Sequence, residues 1–148
     1  MKRWLVSSVL ALSACDGCQA PESVAIEPVA TCSRASGDVR RKLYSGAAWR
    51  SLTEGAALFP GDWVQTGAAA TAEVDYTLGD ALLVEPRTTI VIARPAARAT
   101  EVQRISIKSG TVRGRLTSDP PKRLRVDLPD GRSVRLRADS EATEVRVG

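Results

Sequence analysis

The chain has 148 residues, a formal net charge of +4, three cysteines and no histidine. This length fits one domain, and the lack of histidine excludes Ser-His-Asp and Cys-His catalysis. The charge is uneven, because residues 15–86 carry a net −5 and residues 87–148 a net +7. A basic half can meet an anionic surface or an acidic partner, although arginines on the wet face of strands explain the same bias.

The first fifteen residues have the organisation of a secretory signal. Lys2 and Arg3 precede the apolar run 4–11, which is shorter than the roughly 20 residues that span a bilayer. The following Leu12-Ser13-Ala14-Cys15 resembles the lipobox of bacterial lipoproteins, which implies cleavage before Cys15 and acylation of its thiol. We therefore expect residues 1–14 to be a signal peptide. An ordinary signal cleaved after Ala14 and an uncleaved anchor are the alternatives.

The lipobox resemblance also predicts a location. It implies a membrane-anchored envelope protein that faces the periplasm, a compartment in which a nucleic-acid partner is not expected. Asp16 follows the lipidation site, and in enteric bacteria this favours retention in the inner membrane. Because that rule differs between lineages, both the inner and the outer membrane stay open.

Residues 15–36 are interpreted as the lipidated cysteine and a flexible tether, because they contain prolines and small residues without periodicity. Cys18 and Cys32 form an even pair in an oxidising compartment, so a disulfide is expected, with free thiols as the alternative. Two cysteines without any histidine do not complete a zinc site, and we expect no metal.

From Gly37 onward, short apolar runs alternate with turn residues, which is typical of an all-β protein. The clearest strand is 70–78, where apolar and polar side chains alternate strictly. The pair Gly79-Asp80 predicts a turn into a strand over 81–84, and the β-branched run 88–93 predicts another.

The last third of the chain is interpreted as two hairpins and a closing strand. Residues 101–108 and 111–116 flank Ser109-Gly110, and the second hairpin turns at 129–131. Residues 143–147 form the closing strand. We therefore predict one all-β domain over 37–148 with about 8–10 short, mainly antiparallel strands, arranged as a sandwich or a rolled or solenoid-like sheet.

Residues 52–67 are rich in turn signals. Glycines permit positive-φ turns and an Asp side chain can bond the backbone two residues on. With Trp49 and Leu52, the run resembles the FecR domain family, named for the periplasmic regulator of iron-dicitrate uptake, whose pattern is Trp-x-x-Leu-x-x-Gly-x-x-Leu-x-x-Gly-Asp-x-x-x-Thr-Gly. The matching turn residues are Gly55, Gly61, Asp62, Thr66 and Gly67. Segments 73–80, 85–90, 105–112 and 142–147 also resemble the family's later strands and turns.

The carboxylates offer little for catalysis. Glu73 and Asp75 share a strand face, and Asp80 and Glu85 are close in sequence, so a paired-carboxylate hydrolase is conceivable. A wet strand face and turn acids explain these residues more simply. Asp62, Asp75 and Asp80 lack a calcium-loop signature, and no cofactor motif is present. We therefore predict a protein that is not an enzyme and binds no cofactor.

The FecR resemblance implies a protein-binding or signalling module with an envelope protein as partner. The named regulator carries a cytoplasmic anti-sigma segment, whereas this chain starts with an export signal, so no direct contact with a sigma factor is expected. Candidate contact residues are the aromatics near the glycine turns, Trp49, Phe59 and Trp63, although core packing is the simpler explanation for each of them. The alternative function is binding of a cell wall or an anionic polysaccharide through the arginines of 113–137.

Overall fold

The computed structural model describes residues 26–77, 79–93, 102–115, 123–136 and 143–148. These residues form strands and no helix, which confirms the all-β prediction. The twelve strands are β1 (Ala30–Ser36), β2 (Val39–Lys42), β3 (Arg50–Ser51), β4 (Ala57–Leu58), β5 (Trp63–Thr66), β6 (Thr71–Tyr76), β7 (Ala81–Val84), β8 (Thr89–Ile92), β9 (Val102–Arg115), β10 (Arg123–Asp127), β11 (Ser133–Arg135) and β12 (Thr143–Val147).

The strands belong to one curled sheet, so the rolled arrangement is observed and the sandwich is not. Nine strands follow the order β3-β2-β5-β8-β9-β7-β6-β1-β4, while β10 and β12 pair with β9 and β11 pairs with β10. Every pair is antiparallel except β9 with β10. The strand β9 is therefore the centre of the fold, since four other strands pair with it.

The predicted hairpin around Ser109-Gly110 is wrong. Residues 102–115 form the single strand β9, whose first half pairs with β8 and β10 and whose second half pairs with β7 and β12. Gly110 has a φ of 94°, and a Cβ there would overlap Thr88. Glycine here allows a strand to bend and change neighbours rather than to reverse.

The apolar side chains turn to the inside of the curl. The strand predicted over 70–78 is observed as β6, in which Ala72, Val74 and Tyr76 are buried; Leu78 lies outside the described residues. The strands predicted after Gly79-Asp80 and over 88–93, the second hairpin and the closing strand are confirmed as β7, β8, β10–β11 and β12. The largest fully buried side chains include Leu58, Leu82, Ile90, Ile92, Ile105, Ile107, Leu124 and Leu136.

The predicted tether over 15–36 is wrong for its last seven residues, which form β1. This strand pairs with β6 and β4, and both Ala30 and Cys32 are fully buried. The alternation along this strand is weak in the sequence, because small side chains, rather than large branched ones, face the core. The folded domain consequently begins at Ala30 rather than at Gly37.

Cys32 is a free, buried thiol in the structure. Its Sγ donates a hydrogen bond to the carbonyl oxygen of Arg34 at 3.3 Å. Burial raises the pKa of this thiol, and the negative charges of Glu54 and Asp75 also raise it, while the backbone of Arg34 acts in the opposite direction. Cys18 lies outside the described residues, so its pairing with Cys32 stays a prediction.

The predicted signal peptide and Cys15 also lie outside the described residues. Within the described ranges, no helix has the length and apolar character needed to cross a bilayer.

Candidate macromolecule-binding face

The turn residues of segment 52–67 connect several parts of the fold through hydrogen bonds. Gly55 has a φ of 83° and donates its N–H to the carbonyl of Cys32 at 2.7 Å. Gly61 has a φ of 93° and donates to the carbonyl of Ile92 at 2.6 Å. A Cβ at Gly61 would lie 2.6 Å from the ring of Tyr44. Both glycines therefore serve turns and close packing.

Asp62 is a buried carboxylate, 1% exposed, that accepts hydrogen bonds from three separate parts of the chain. It accepts hydrogen bonds from the backbone N–H groups of Tyr44 and Phe59, each at 3.1 Å, and from Arg41 Nη2 at 3.3 Å. Arg41 also donates to the carbonyl of Ala57 at 3.2 Å. Because protein donors engage both of its oxygens, Asp62 acts here as a structural anchor for the loop after β2 and the turn before β5.

Thr66 and Gly67 complete the set of turn residues. The Thr66 hydroxyl donates to the carbonyl of Glu85 at 2.6 Å and accepts from the N–H of Thr88 at 3.0 Å. Gly67 donates its N–H to the carbonyl of Asp38 at 2.9 Å. Both residues consequently join β5 to neighbouring loops.

Two of the three candidate aromatic residues meet around one lysine. Lys42 Nζ lies 4.5 Å from the ring centroid of Trp63 and 5.3 Å from that of Trp49. Lys108 Nζ reaches the Trp63 ring at 5.8 Å. Trp49 is 37% exposed, whereas Trp63 and Phe59 are half-buried. These are cation–π distances. Lys42 carries no signal in the sequence, because Trp63 lies on another strand, β5, and Trp49 lies just before β3.

Trp63 lies on the outer surface formed by β2, β5, β8, the first half of β9, β10 and β11. The register places Lys42, Trp63, Val91 and Ser106 opposite one another in successive strands. The outward side chains of this surface include six described cations, and two described carboxylates pair with them: Asp127 of β10 and Asp38, which lies just before β2. We call it the basic face; its cations are Arg40, Lys42, Arg104, Lys108, Arg125 and Arg135.

Three arginines of the basic face lie directly opposite one another. Arg104 pairs in register with Arg125, and Arg125 with Arg135. We call these three residues the arginine row. Asp127 forms ion pairs with two of them, because Arg104 Nη2 lies 2.6 Å and Arg125 Nε lies 3.4 Å from its carboxylate oxygens. Among the described residues, Arg135, Lys42 and Lys108 have no carboxylate partner.

The carboxyl group of Asp127 is held in its ionised form. Partial burial would raise its pKa, but the hydrogen bonds from Ser133 and Arg104 and the charges of Arg104 and Arg125 outweigh burial, so that the pKa is lowered. Ser133 Oγ donates to Asp127 at 2.6 Å. Asp127 therefore remains a charged partner for the arginine row under ordinary conditions.

The outer surface of β1, β6, β7, the second half of β9 and β12 has the opposite character. Here Arg34, Glu73, Leu83, Arg113 and Glu144 lie opposite one another across five strands. We call this surface the paired face, because Arg34, Arg113 and Arg115 each meet a glutamate; its fourth arginine, Arg146 of β12, has no carboxylate partner among the described residues. The nitrogen–oxygen distances are 4.0 Å for Arg34–Glu73, 3.0 Å for Arg113–Glu85, 3.3 Å for Arg113–Glu144 and 3.2 Å for Arg115–Glu73.

The arginines of 113–137 thus do not share one face. Arg113 and Arg115 belong to the paired face, and Arg125 and Arg135 to the basic face. Arg132 lies in the turn before β11, where its Nε is 2.6 Å from Asp130. The prediction that these arginines share one face is therefore wrong. They are divided between two faces because β9 changes its neighbouring strands at Gly110.

The carboxylates considered for catalysis are dispersed. Glu73 and Glu85 form ion pairs with arginines of the paired face. Asp75 is exposed on β6, and Asp80 is 1% exposed beside the β6–β7 turn. No group of three or more Cys, Asp or Glu side chains in the described part of the chain is placed to hold a metal ion.

No protein family model, curated protein or solved structure matches this chain. A functional assignment therefore depends on the chemistry of its own surfaces.

Proposed function

We propose that this chain is a non-enzymatic lipoprotein, anchored in the cell envelope through Cys15, whose FecR-like β domain binds an acidic protein partner through the basic face. The observation that carries the proposal is the row Arg104–Arg125–Arg135, which has one described carboxylate among its neighbours. Like charges directly opposite one another across a sheet are destabilising. Acidic side chains of a partner would relieve that repulsion.

The shape of the basic face also favours a macromolecule. The cations stand on neighbouring strands of one sheet rather than around a deep cavity, so their ligand has to be extended. Complementary charge raises the rate of encounter and selects partners by the sign of their charge. A regulatory role, in which the domain acts as an exported sensor arm for a separate membrane protein, is compatible with this mode of binding.

The proposal that the protein is not an enzyme has two supports. The sequence has no histidine, the side chain that most often transfers protons near neutral pH. Among the described acidic residues, Glu73, Glu85 and Asp127 are engaged by arginines. Ion-paired carboxylates at a sheet surface are suited to stability and recognition rather than to general acid catalysis.

An anionic polysaccharide, such as a cell-wall polymer, is the second candidate ligand. The indoles of Trp49 and Trp63 beside Lys42 favour it, because an aromatic surface next to a cation suits an extended anionic chain with both apolar and charged parts. Retention on an immobilised anionic polysaccharide that decreases with salt, without a captured protein, would select this candidate.

The proposal is tested by affinity capture of the tagged, lipidated protein from envelope membranes, with chemical cross-linking and mass spectrometry of the first residue and of the partner. We expect mass spectrometry to find an acylated Cys15. We also expect the wild type to capture a partner that has an acidic surface, and the variant Arg125→Gln to fail to capture that partner. The matched control is Arg113→Gln, which removes the same charge from the paired face. Equal capture by wild type, Arg125→Gln and Arg135→Gln would overturn the proposal, as would an unprocessed Met1.

A further inference from the structure

The exposed large apolar side chains of the described residues gather near one end of the domain. They are Ile26, Tyr44 and Trp49, with exposed fractions of 55%, 74% and 37%. Tyr44 is held at this end by its N–H bond to Asp62 and by the packing of its ring on Gly61. Trp49 is held there by its contact with Lys42, the last residue of β2.

The polypeptide enters the sheet at the same end. Val29 donates its N–H to the carbonyl of Leu58 at 3.0 Å, immediately before the turn that contains Gly61. The ends of β2 and β4 are also joined, because Arg41 Nη1 donates to the carbonyl of Ala57 at 3.2 Å. Ile26 precedes Val29 by three residues, so it cannot be more than roughly 10 Å from it. We call Ile26, Lys42, Tyr44 and Trp49 the anchor-side end.

The chemistry of the anchor-side end is that of a membrane interface. Tryptophan and tyrosine favour the headgroup level of a bilayer because an apolar ring carries one polar group. Lysine extends its ammonium to lipid phosphates while its carbon chain lies along apolar groups. No described carboxylate pairs with Lys42, which leaves its charge available to an anionic surface.

The position of Cys15 adds a limit on distance. Eleven residue steps separate Cys15 from Ile26, and a chain of that length spans at most about 40 Å even when fully extended. An acyl group on Cys15 would therefore hold the anchor-side end close to the bilayer, at a high effective concentration of lipid headgroups.

We propose that the anchor-side end docks on the anionic phospholipid surface of the membrane that carries the anchor, with the rings of Tyr44 and Trp49 at the headgroup level and Lys42 at lipid phosphates. This docking goes beyond the proposed function and shares with it the anchor at Cys15 and one cation of the basic face, Lys42. It fixes the orientation of the domain on the bilayer, and the arginine row of β9–β11 remains available to a partner.

The test uses the mature lipidated chain carrying Trp63→Phe, in which Trp49 is the one remaining tryptophan. The protein is reconstituted into phosphatidylcholine vesicles with or without phosphatidylglycerol, in both cases with brominated acyl chains. In the vesicles that contain phosphatidylglycerol, we expect a blue-shifted Trp49 emission and a several-fold stronger quenching by bromine. Lys42→Gln should lose most of this difference, whereas the control Arg125→Gln should keep it.

A second measurement tests whether the domain binds vesicles when no acyl group holds it there. The mature chain with Cys15→Ser should co-sediment with vesicles that contain phosphatidylglycerol and release them at high salt, and Trp49→Ser should weaken this binding several-fold. Equal access of aqueous iodide to Trp49 with and without these vesicles, or vesicle binding unaffected by Trp49→Ser, would overturn the docking. Such a result leaves capture of a protein partner through Arg125 intact, so the two proposals fail separately.

Discussion

The two outer faces of the sheet use the same residue type for opposite purposes. On the paired face, arginines of β9 lie next to glutamates of neighbouring strands, and each exposed pair contributes about 0.2–1 kcal/mol to stability. On the basic face, an arginine of β9 lies next to other arginines, and Asp127 is the described carboxylate that serves the row. The cross-strand neighbour of an arginine, rather than the arginine itself, therefore decides whether its charge is neutralised within the sheet or left on the face that we propose binds a partner.

The strongest way to break the comparison is to remove the bend that separates the two faces. Gly110→Ala would place a methyl group against Thr88 at a positive φ, so we expect a loss of about 3 kcal/mol in the free energy of unfolding. Gly131→Ala is the matched control, because its φ is 84° but nothing lies within 4 Å of the added carbon; its cost should be about 1 kcal/mol. Urea unfolding measures both, and equal losses would contradict the role of the bend.

Removal of the buried carboxylate of Asp62, which binds the backbone N–H of Tyr44, should have the next largest effect. Asp62→Ala leaves two backbone N–H groups and Arg41 without their acceptor, which should cost about 2–3 kcal/mol. The control is Asp38→Ala, since Asp38 forms an exposed ion pair with Arg40 at 3.0 Å, and it should change stability by less than about 0.5 kcal/mol. A thermal unfolding curve of Asp62→Ala that matches wild type would refute this structural role.

Asp127→Asn sharpens the comparison by making the basic face more positive. Stability should fall by about 0.5–1 kcal/mol at pH 7, while retention on an anionic polymer should rise. Because the folded-state pKa of Asp127 lies below its ordinary value, its carboxylate stabilises the fold above that value and the contribution is lost as the pH falls through the lowered pKa. The variant should therefore lose less stability than wild type on acidification below about pH 4.

The control for this charge change is Glu144→Gln on the paired face. It removes one negative charge from a side chain that is 47% exposed, so the net charge changes as in Asp127→Asn. It should leave retention on an anionic polymer nearly unchanged. Equal gains in retention for both variants would mean that net charge, rather than the basic face, controls binding.

The smallest effect is expected inside the sheet. The hydroxyl of Tyr76 is buried without a hydrogen-bond partner among the described residues, and burial raises the pKa of this phenol. Tyr76→Phe should leave the free energy of unfolding within about 0.5 kcal/mol of wild type, or increase it. A loss above about 1 kcal/mol would reveal a partner for the hydroxyl.

The sequence predicted those elements whose side chains alternate visibly. Apolar and polar residues alternate along β6 and β10–β11, and both were located closely. The strand β1 was missed because alanine and cysteine, rather than large apolar residues, face the core. The prediction of a turn at Gly110 was wrong because glycine is favoured wherever φ is positive, both in a hairpin turn and at a bend within one strand.

The candidate site was predictable only in part. Trp49 and Trp63 stand out as rare aromatics near a glycine-rich run, and the structure brings them together. Lys42 and Asp127 carry no signal of their own, because their roles depend on register with strands far away in the sequence. The division of the arginines between two faces depends on the path of β9, which local patterns do not reveal.

The most direct test of the basic face compares Arg125→Gln with Arg113→Gln in binding to immobilised polyglutamate over a range of salt concentrations. Both substitutions remove one positive charge, but from different faces. We predict that Arg125→Gln weakens binding several-fold and makes its salt dependence shallower, while Arg113→Gln binds like wild type. Equal weakening by the two variants, or no binding by the wild type at low salt, would contradict the account.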